Sequence, residues 1–224
     1  VDGNVNLSSS GDVAFGGNAS VDAGSFSTSS SWNTNGGSGG LGGDIDVTAS
    51  TTVTTDNASS WTCTATGGGD GCFVTIAGGG LVTLNGDIDA GASGSGASGG
   101  SIQASSTGGD LTLGSSSLLS ADTGSGGSSG GSIILGSACE VDVNGTVDSV
   151  TTGVAGGTNT VTYRETLDVP GTMRGGSNTF QCRCVDAGGD GICDVPVSCV
   201  SNPNVTGTVT PSAVVTPAPL ASCS

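Results

Sequence analysis

The sequence predicts an all-β chain wound as a parallel β-helix, a solenoid of about six coils with three short strands in each. Three observations lead there. Short apolar-polar stretches begin around Val5, Ile45, Val74, Ile102, Ile133, Val161 and Phe180, most of them introduced by a Gly-Gly or Gly-Asp step, and the middle ones recur about every 29 residues. Within a repeat, segments of a few residues alternate apolar with polar side chains, the pattern of a strand with one buried face. No stretch keeps a helical apolar period for more than a turn or two.

Laid under one another, the repeats give two inward columns. Ile45/Val47, Val74/Ile76, Ile102, Ile133/Leu135 and Val161/Tyr163 form the first. Val13/Phe15, Val53, Val82/Leu84, Leu111/Leu113, Val141/Val143 and Leu167/Val169 form the second, with parity at Leu81 to Leu84 read from Val82 and Leu84 sharing a face. Inward residues this few per strand cannot build a core alone, whereas stacked coils pile them into continuous columns. The 44 glycines and four phenylalanines suit such a narrow interior better than a wide two-layer core.

Residues 1 to about 60 are the least regular part. Trp32 lies there in a Gly-rich excursion, placed either as a lid over loops or the first coil, or as an exposed contact aromatic. Gly-rich runs at 36–43, 91–100, 124–131 and 153–157 precede matching strands, so they should stack on one side of the shaft; they hold no carboxylate or aromatic ring that would mark a sugar groove. The shaft is assigned to residues 1–195. Residues 196–224 read as an extended arm rich in Pro, Thr and Val, in which Pro203, Pro211, Pro217 and Pro219 argue against a regular central strand. Three placements stay open for the arm: along its own shaft, over the last coil, or on a neighbouring subunit.

Eight cysteines in a short chain suggest an oxidising location. Cys63 to Cys72 and Cys184 to Cys193 share one spacing in similar Gly-Asp surroundings and are the first disulfide assignments; Cys139 with Cys182 and Cys199 with Cys223 would complete the set. A zinc site from Cys182, Cys184, Cys193 and Cys199 is the alternative, disfavoured by its C-x-C pair. Asp186, Asp190 and Asp194 fall at the first, fifth and ninth positions of a segment that loosely resembles an oxygen-rich calcium loop, though Gly188 and Val197 stand where acids belong. Calcium there is the one metal expected, against a plain disulfide-closed turn; no other cofactor is implied.

The net charge of −16, with no histidine and only Arg164, Arg174 and Arg183 as cations, excludes nucleic acid as a partner. Those arginines would form one complementary end on an acidic particle, or stand solvated beside acids such as Glu165. Asp44/Asp46 and Asp87/Asp89 place carboxylates on one strand face and are the candidates for acid/base chemistry on a glycan. The intervening Ile45 and Ile88 read instead as ordinary inward residues, and without histidine no Ser-His-acid relay can form. An enzyme is therefore not expected. N-x-[ST] acceptor sequences occur at Asn6, Asn18, Asn57, Asn144 and Asn204. No apolar run is long enough to span a bilayer, and the polar start at Val1 reads as a secreted product after removal of a signal peptide.

The runs GGDIDVTAS, GGDLTLGSS and GGSIILGSA resemble coils of bacterial secreted parallel β-helix proteins of the filamentous-haemagglutinin and autotransporter-passenger class. The resemblance covers roughly residues 1 to 183 and implies export, an elongated shaft and an adhesive or structural role at the cell surface. It transfers no catalytic residue. A short β-helix exposes strand edges at both ends, which must be capped or used. The reading that follows is a subunit of an extracellular filament that self-associates head to tail into a homopolymer. The alternative is a secreted or surface adhesin module that binds glycans or proteins, and a polysaccharide-cleaving enzyme is a third reading.

Overall fold

The computed structural model describes residues 5–9, 14–151, 156–185 and 203–220. They form a parallel β-solenoid in which every third strand returns to the same sheet. The first sheet stacks Ala19–Ala23, Ile45–Ala49, Phe73–Gly78, Ser101–Ser106, Ser132–Ser137, Thr158–Tyr163, Ser177–Val185 and Val214–Leu220. The second stacks Phe26–Thr28, Val53–Thr55, Val82–Leu84, Leu111–Leu113, Val141–Val143, Leu167–Asp168 and Pro203–Asn204. The third stacks Val5–Asn6, Trp32–Asn33, Ser60–Thr62, Asp87–Asp89, Leu118–Ser120, Thr146–Asp148, Thr172–Arg174 and Thr208–Thr210. No helix occurs among the described residues.

The alternating pattern does what a half-buried strand requires. Ile45, Val74, Ile102 and Ile133 pair in register and are fully buried, as are Val53, Val82, Leu111 and Val141 in the second sheet. Leu81 points outward, as its parity with Val82 demands. A third column, Trp32, Trp61, Ile88, Leu119, Val147 and Met173, completes the interior. Burying one such aliphatic side chain contributes about 1.5–3 kcal/mol, so the columns carry the stability of a chain with few large residues.

The register departs from the expected one in the last coils. Val161 pairs with Leu135, not Ile133, whose partner is Asn159. Asn159 faces inward because it has an internal partner: its Nδ2 donates to Asn178 Oδ1 at 2.9 Å and to Arg174 O at 2.8 Å, and Asn178 Nδ2 donates to Pro211 O at 2.7 Å. A buried amide is tolerated when hydrogen-bonded, and this ladder replaces the aliphatic column where the paired residues lie only 19 apart.

Three expectations for the N-terminal segment are corrected. Val5 belongs to the third sheet, where it pairs with Trp32, and the first-sheet residue before Ile45 is Ala19. The second column begins at Phe26, which pairs with Val53, while Phe15 is 63% exposed; Val13 lies outside the described residues. The segment carrying Phe15 is held against the corner by Gly37 N–H on Ala14 O at 2.7 Å and Gly16 N–H on Leu41 O at 3.0 Å. Trp32 is neither lid nor exposed contact. It is buried, stacked on Trp61 at 4.9 Å with Phe26 edge-on at 5.7 Å.

The C-terminal segment keeps the coil. Residues 203–220 add one strand to each sheet, pairing with Leu167–Asp168, Thr172–Arg174 and Thr179–Val185, so the part of the arm described here lies over its own last coil. Among the described residues the strand of Pro217 and Pro219 has a neighbour on one side only, the setting in which a missing N–H is tolerated.

If the inward columns carry stability, Ile102→Ala should lower the unfolding free energy by about 2–5 kcal/mol, and outward Gln103→Ala should change it by less than about 0.5 kcal/mol. Chemical denaturation of the oxidised protein measures both, and equal effects would contradict the register.

Candidate functional site

Between the third and first sheets the coils as far as the strand Thr158–Tyr163 leave the shaft through a narrow neck. Gly43 N–H donates to Thr34 O at 2.7 Å, Gly100 to Ala90 O at 2.9 Å, Gly131 to Ala121 O at 2.8 Å and Gly157 to Ser149 O at 2.7 Å. Gly17 N–H closes the first coil in the same way on Leu7 O at 2.8 Å, and in the coil between those of Gly43 and Gly100 the equivalent positions are Cys63 and Cys72, whose disulfide with Cα atoms 5.7 Å apart closes the neck covalently. The expected Cys63–Cys72 bridge is thus the neck of its coil. The glycines here answer to backbone crowding: a Cβ at Gly131 would stand 2.0 Å from Gly100 O, and one at Gly157 1.9 Å from Gly131 O.

Beyond the necks the Gly-rich runs at 36–43, 91–100 and 124–131 stack as anticipated, into a flange along one edge of the shaft; residues 153–155 of the fourth run lie outside the described residues. Ala65, Ala92, Thr123 and Thr151 bridge in succession, and Ser38 bridges to Thr66 and Ser98 to Ser129. Gly39 N–H donates to Thr66 O, Gly68 to Ser93 O and Gly96 to Gly126 O.

Each side of the flange forms a groove. On the first-sheet side a groove of about 530 Å³ runs across four coils. Its floor is Gly71, Gly99 and Gly100, Gly130 and Gly131, and Gly156 and Gly157; Ser101, Ser132 and Thr158 supply one hydroxyl per coil in register. Phe73 stands at one end, 63% exposed, near the exposed Leu41, and Asp70 accepts from Ser98 N–H at 2.8 Å. The runs themselves hold no aromatic ring, as the sequence shows, but stacking brings Phe73 and Asp70 of the disulfide-closed coil beside them. That proximity spans different coils and has no signal in any single run.

On the third-sheet side, a groove of about 280 Å³ contains Asp89 and Asp122. Their carboxylates converge: a Cβ built on Gly91 would lie 2.9 Å from Oδ1 of each. Gly91 N–H donates to Asp89 Oδ1 at 2.9 Å, and the Ser120 hydroxyl donates to Asp122 Oδ1 at 3.2 Å. Burial raises the Asp89 pKa against the lowering effect of its bonds from Gly91 and Ser120. Burial also raises that of Asp122, with repulsion from Asp89 and Asp148 adding to it and the Ser120 bond and Arg174 opposing it. Along the same register Asp148, largely buried, forms an ion pair with half-exposed Arg174. Arg174 is therefore committed within its own chain.

The acidic pairs expected for chemistry do not assemble into one site. Asp44 accepts from Phe73 N–H at 3.0 Å while its own N–H donates to Asn18 Oδ1, and Asp46 lies exposed on the outer face of the first sheet. Asp87 accepts from Leu118 N–H at 2.9 Å, so only Asp89 enters the third-sheet groove. Its companion Asp122 escapes a pairwise reading because it belongs to the next coil, two residues past the register position held by Ser120.

The expected Cys139–Cys182 bridge is absent. Cys139 is a free, half-buried thiol, and Cys182 is disulfide-bonded elsewhere. A whole strand, Thr158–Tyr163, separates their strands, a gap of about 9.6 Å that a disulfide cannot span. Burial pushes the Cys139 thiol upward, with Glu165, Asp110 and Glu140 adding to it and Arg164 opposing. Cys193, Cys199 and Cys223 lie outside the described residues, as do the calcium candidates Asp186, Asp190 and Asp194. Among the described residues no cluster of three or more His, Cys, Asp or Glu side chains could hold a metal ion. No helix of the described residues is long and apolar enough to cross a membrane.

Carboxyls with folded pKa values above the unfolded value of 3.8 bind protons more tightly in the native state. Their contribution to stability therefore rises as pH falls from neutral through the raised pKa and levels off below the unfolded one. Asp89→Asn with Asp122→Asn should increase stability at pH 7 and flatten this acid-side rise. Urea titrations across pH 7 to 4 read both effects, and an unchanged pH slope would refute the assignment.

No protein-family model, curated protein or solved structure matches the chain.

Proposed function

We propose that this chain is a structural subunit of an extracellular filament, lengthened head to tail by stacking the last coil of one copy on the first coil of the next. The observation that carries this reading is the apolar mouth at the C-terminal end. Phe180, Val205, Val209, Ala213 and Val215 line an opening of about 310 Å³ there, and Val205 is 42% exposed. Apolar groups left open at a strand edge are a template for further pairing. The other end supports the same reading, with Leu7 and Phe15 exposed and Val21 only partly covered. The disulfide agrees with an oxidising, extracellular setting.

Polarity in such a filament cannot come from Arg174, which is held by Asp148. It comes from the unlike ends. Pro217 and Pro219 remove two N–H donors from the terminal first-sheet strand, so pairing across the joint would run through the third-sheet strand Thr208–Thr210 and the apolar mouth. The same prolines are the specific observation favouring the second reading, a surface module that presents its flange to glycans or proteins, because proline blunts an edge against addition. A non-catalytic role fits both readings: Asp89, Asp122 and Asp148 are engaged by Gly91, Ser120 and Arg174 in holding the coil corner.

Sedimentation and electron microscopy of native, oxidised protein across a wide concentration range test the filament. Val205→Asp should shorten or abolish the particles, whereas Leu118→Asp, on an exposed flank, should leave their length unchanged. Persistent monomers at every concentration would end the filament reading and leave the surface module.

A further inference from the structure

We propose that the glycine-floored groove between the flange and the first sheet binds a linear, uncharged polysaccharide strand lying along the shaft. The argument rests on the groove, whose lining includes none of the residues of the apolar mouth, so it stands whether or not the subunits polymerise.

The floor has the shape for sugar rings. Neck packing excludes side chains from Gly100, Gly131 and Gly157, so the surface is bare backbone over three levels about 4.8 Å apart. Beside it Ser101, Ser132 and Thr158 repeat one hydroxyl per coil, Thr158 Oγ1 lying 3.4 Å from Ser132 Oγ. Hydroxyls both donate and accept, which matches a ligand whose own groups do the same. In the register column that runs through these hydroxyls, the position before Ser101 is Phe73, whose exposed ring offers a flat apolar face to the C–H face of a pyranose.

Other polymers fit less well. The groove lining contains no Lys, Arg or His and does contain Asp70, on a chain of net charge −16, so an anionic glycan or nucleic acid meets only repulsion. A peptide adding as a strand needs a free edge. Each strand beside the groove, from Phe73–Gly78 to Thr158–Tyr163, is already paired on both sides. A neutral polyol needs neither a cation nor an edge.

Calorimetric titration of the intact oxidised protein with neutral hexasaccharides (β-1,4-glucan, α-1,4-glucan, β-1,4-mannan and N-acetylglucosamine oligomers), and with polygalacturonate as the anionic probe, tests this. At least one neutral oligomer should bind, and Phe73→Ala should weaken it about tenfold or more while leaving the urea midpoint unchanged, as expected of an exposed side chain. Ser132→Ala should weaken binding more modestly, and Leu118→Ala on another face should not alter it. Failure of every neutral oligomer to bind at millimolar concentration would overturn the proposal, as would equal binding of polygalacturonate or indifference to Phe73→Ala.

Discussion

Everything in this molecule depends on one coil lying in register on the next. The inward residues of a single coil cover too little apolar area to hold it, and every backbone group of a strand looks to the strands above and below for its partner. The clearest sign is the treatment of exceptions. Where the aliphatic column gives out, Asn159 and Asn178 take inward positions and bond across coils through Asn159 Nδ2, with Arg174 O and Pro211 O completing the chain of bonds and Asn159 Oδ1 left without a partner. Polarity is accepted inside as long as it is stacked.

The same requirement governs charge on the surface. In-register stacking places equivalent outward residues about 4.8 Å apart, so a carboxylate repeated in successive coils would face its own kind. In the third sheet the column Asp89, Ser120, Asp148, Arg174 interposes a hydroxyl between the acids and ends them on a cation. The second sheet manages less well: Asp142 pairs directly with Asp168, which Asn204 Nδ2 supports from the far side at 3.0 Å. Burial raises the Asp142 pKa, and repulsion from Glu140, Asp168 and Asp110 raises it further.

How much of this the sequence discloses depends on whether a feature is confined to one repeat. Ile45, Val74, Ile102 and Ile133 are legible because β-branched residues alternate with polar ones inside each strand. The spacing of Cys63 and Cys72, with small and turn-forming residues between, likewise announces a closed loop. An apolar search passes over Asn159, whose inward place is justified only by an amide in the next coil, and so sets Val161 two residues out of register. Phe15 and Phe26 look alike in sequence, both set among small polar residues; the aromatic pair Trp32 and Trp61 selects Phe26. The separation of Cys139 from Cys182 by an intervening strand, the meeting of Asp89 with Asp122, and the position of Phe73 beside another coil's glycines are all relations between repeats. A linear reading has no means of supplying them.

The necks have a consequence for how such a chain can change over time. Each loop is pinched off from the shaft by one short closure, a hydrogen bond in five coils and a disulfide in the sixth. Lengthening a loop beyond its closure leaves strand register untouched and costs only the slowly growing entropy of a longer excursion. The flange can therefore diversify, or accept a grafted peptide near Gly96, while the shaft keeps its sequence, so recognition and architecture in this protein are free to evolve at different rates.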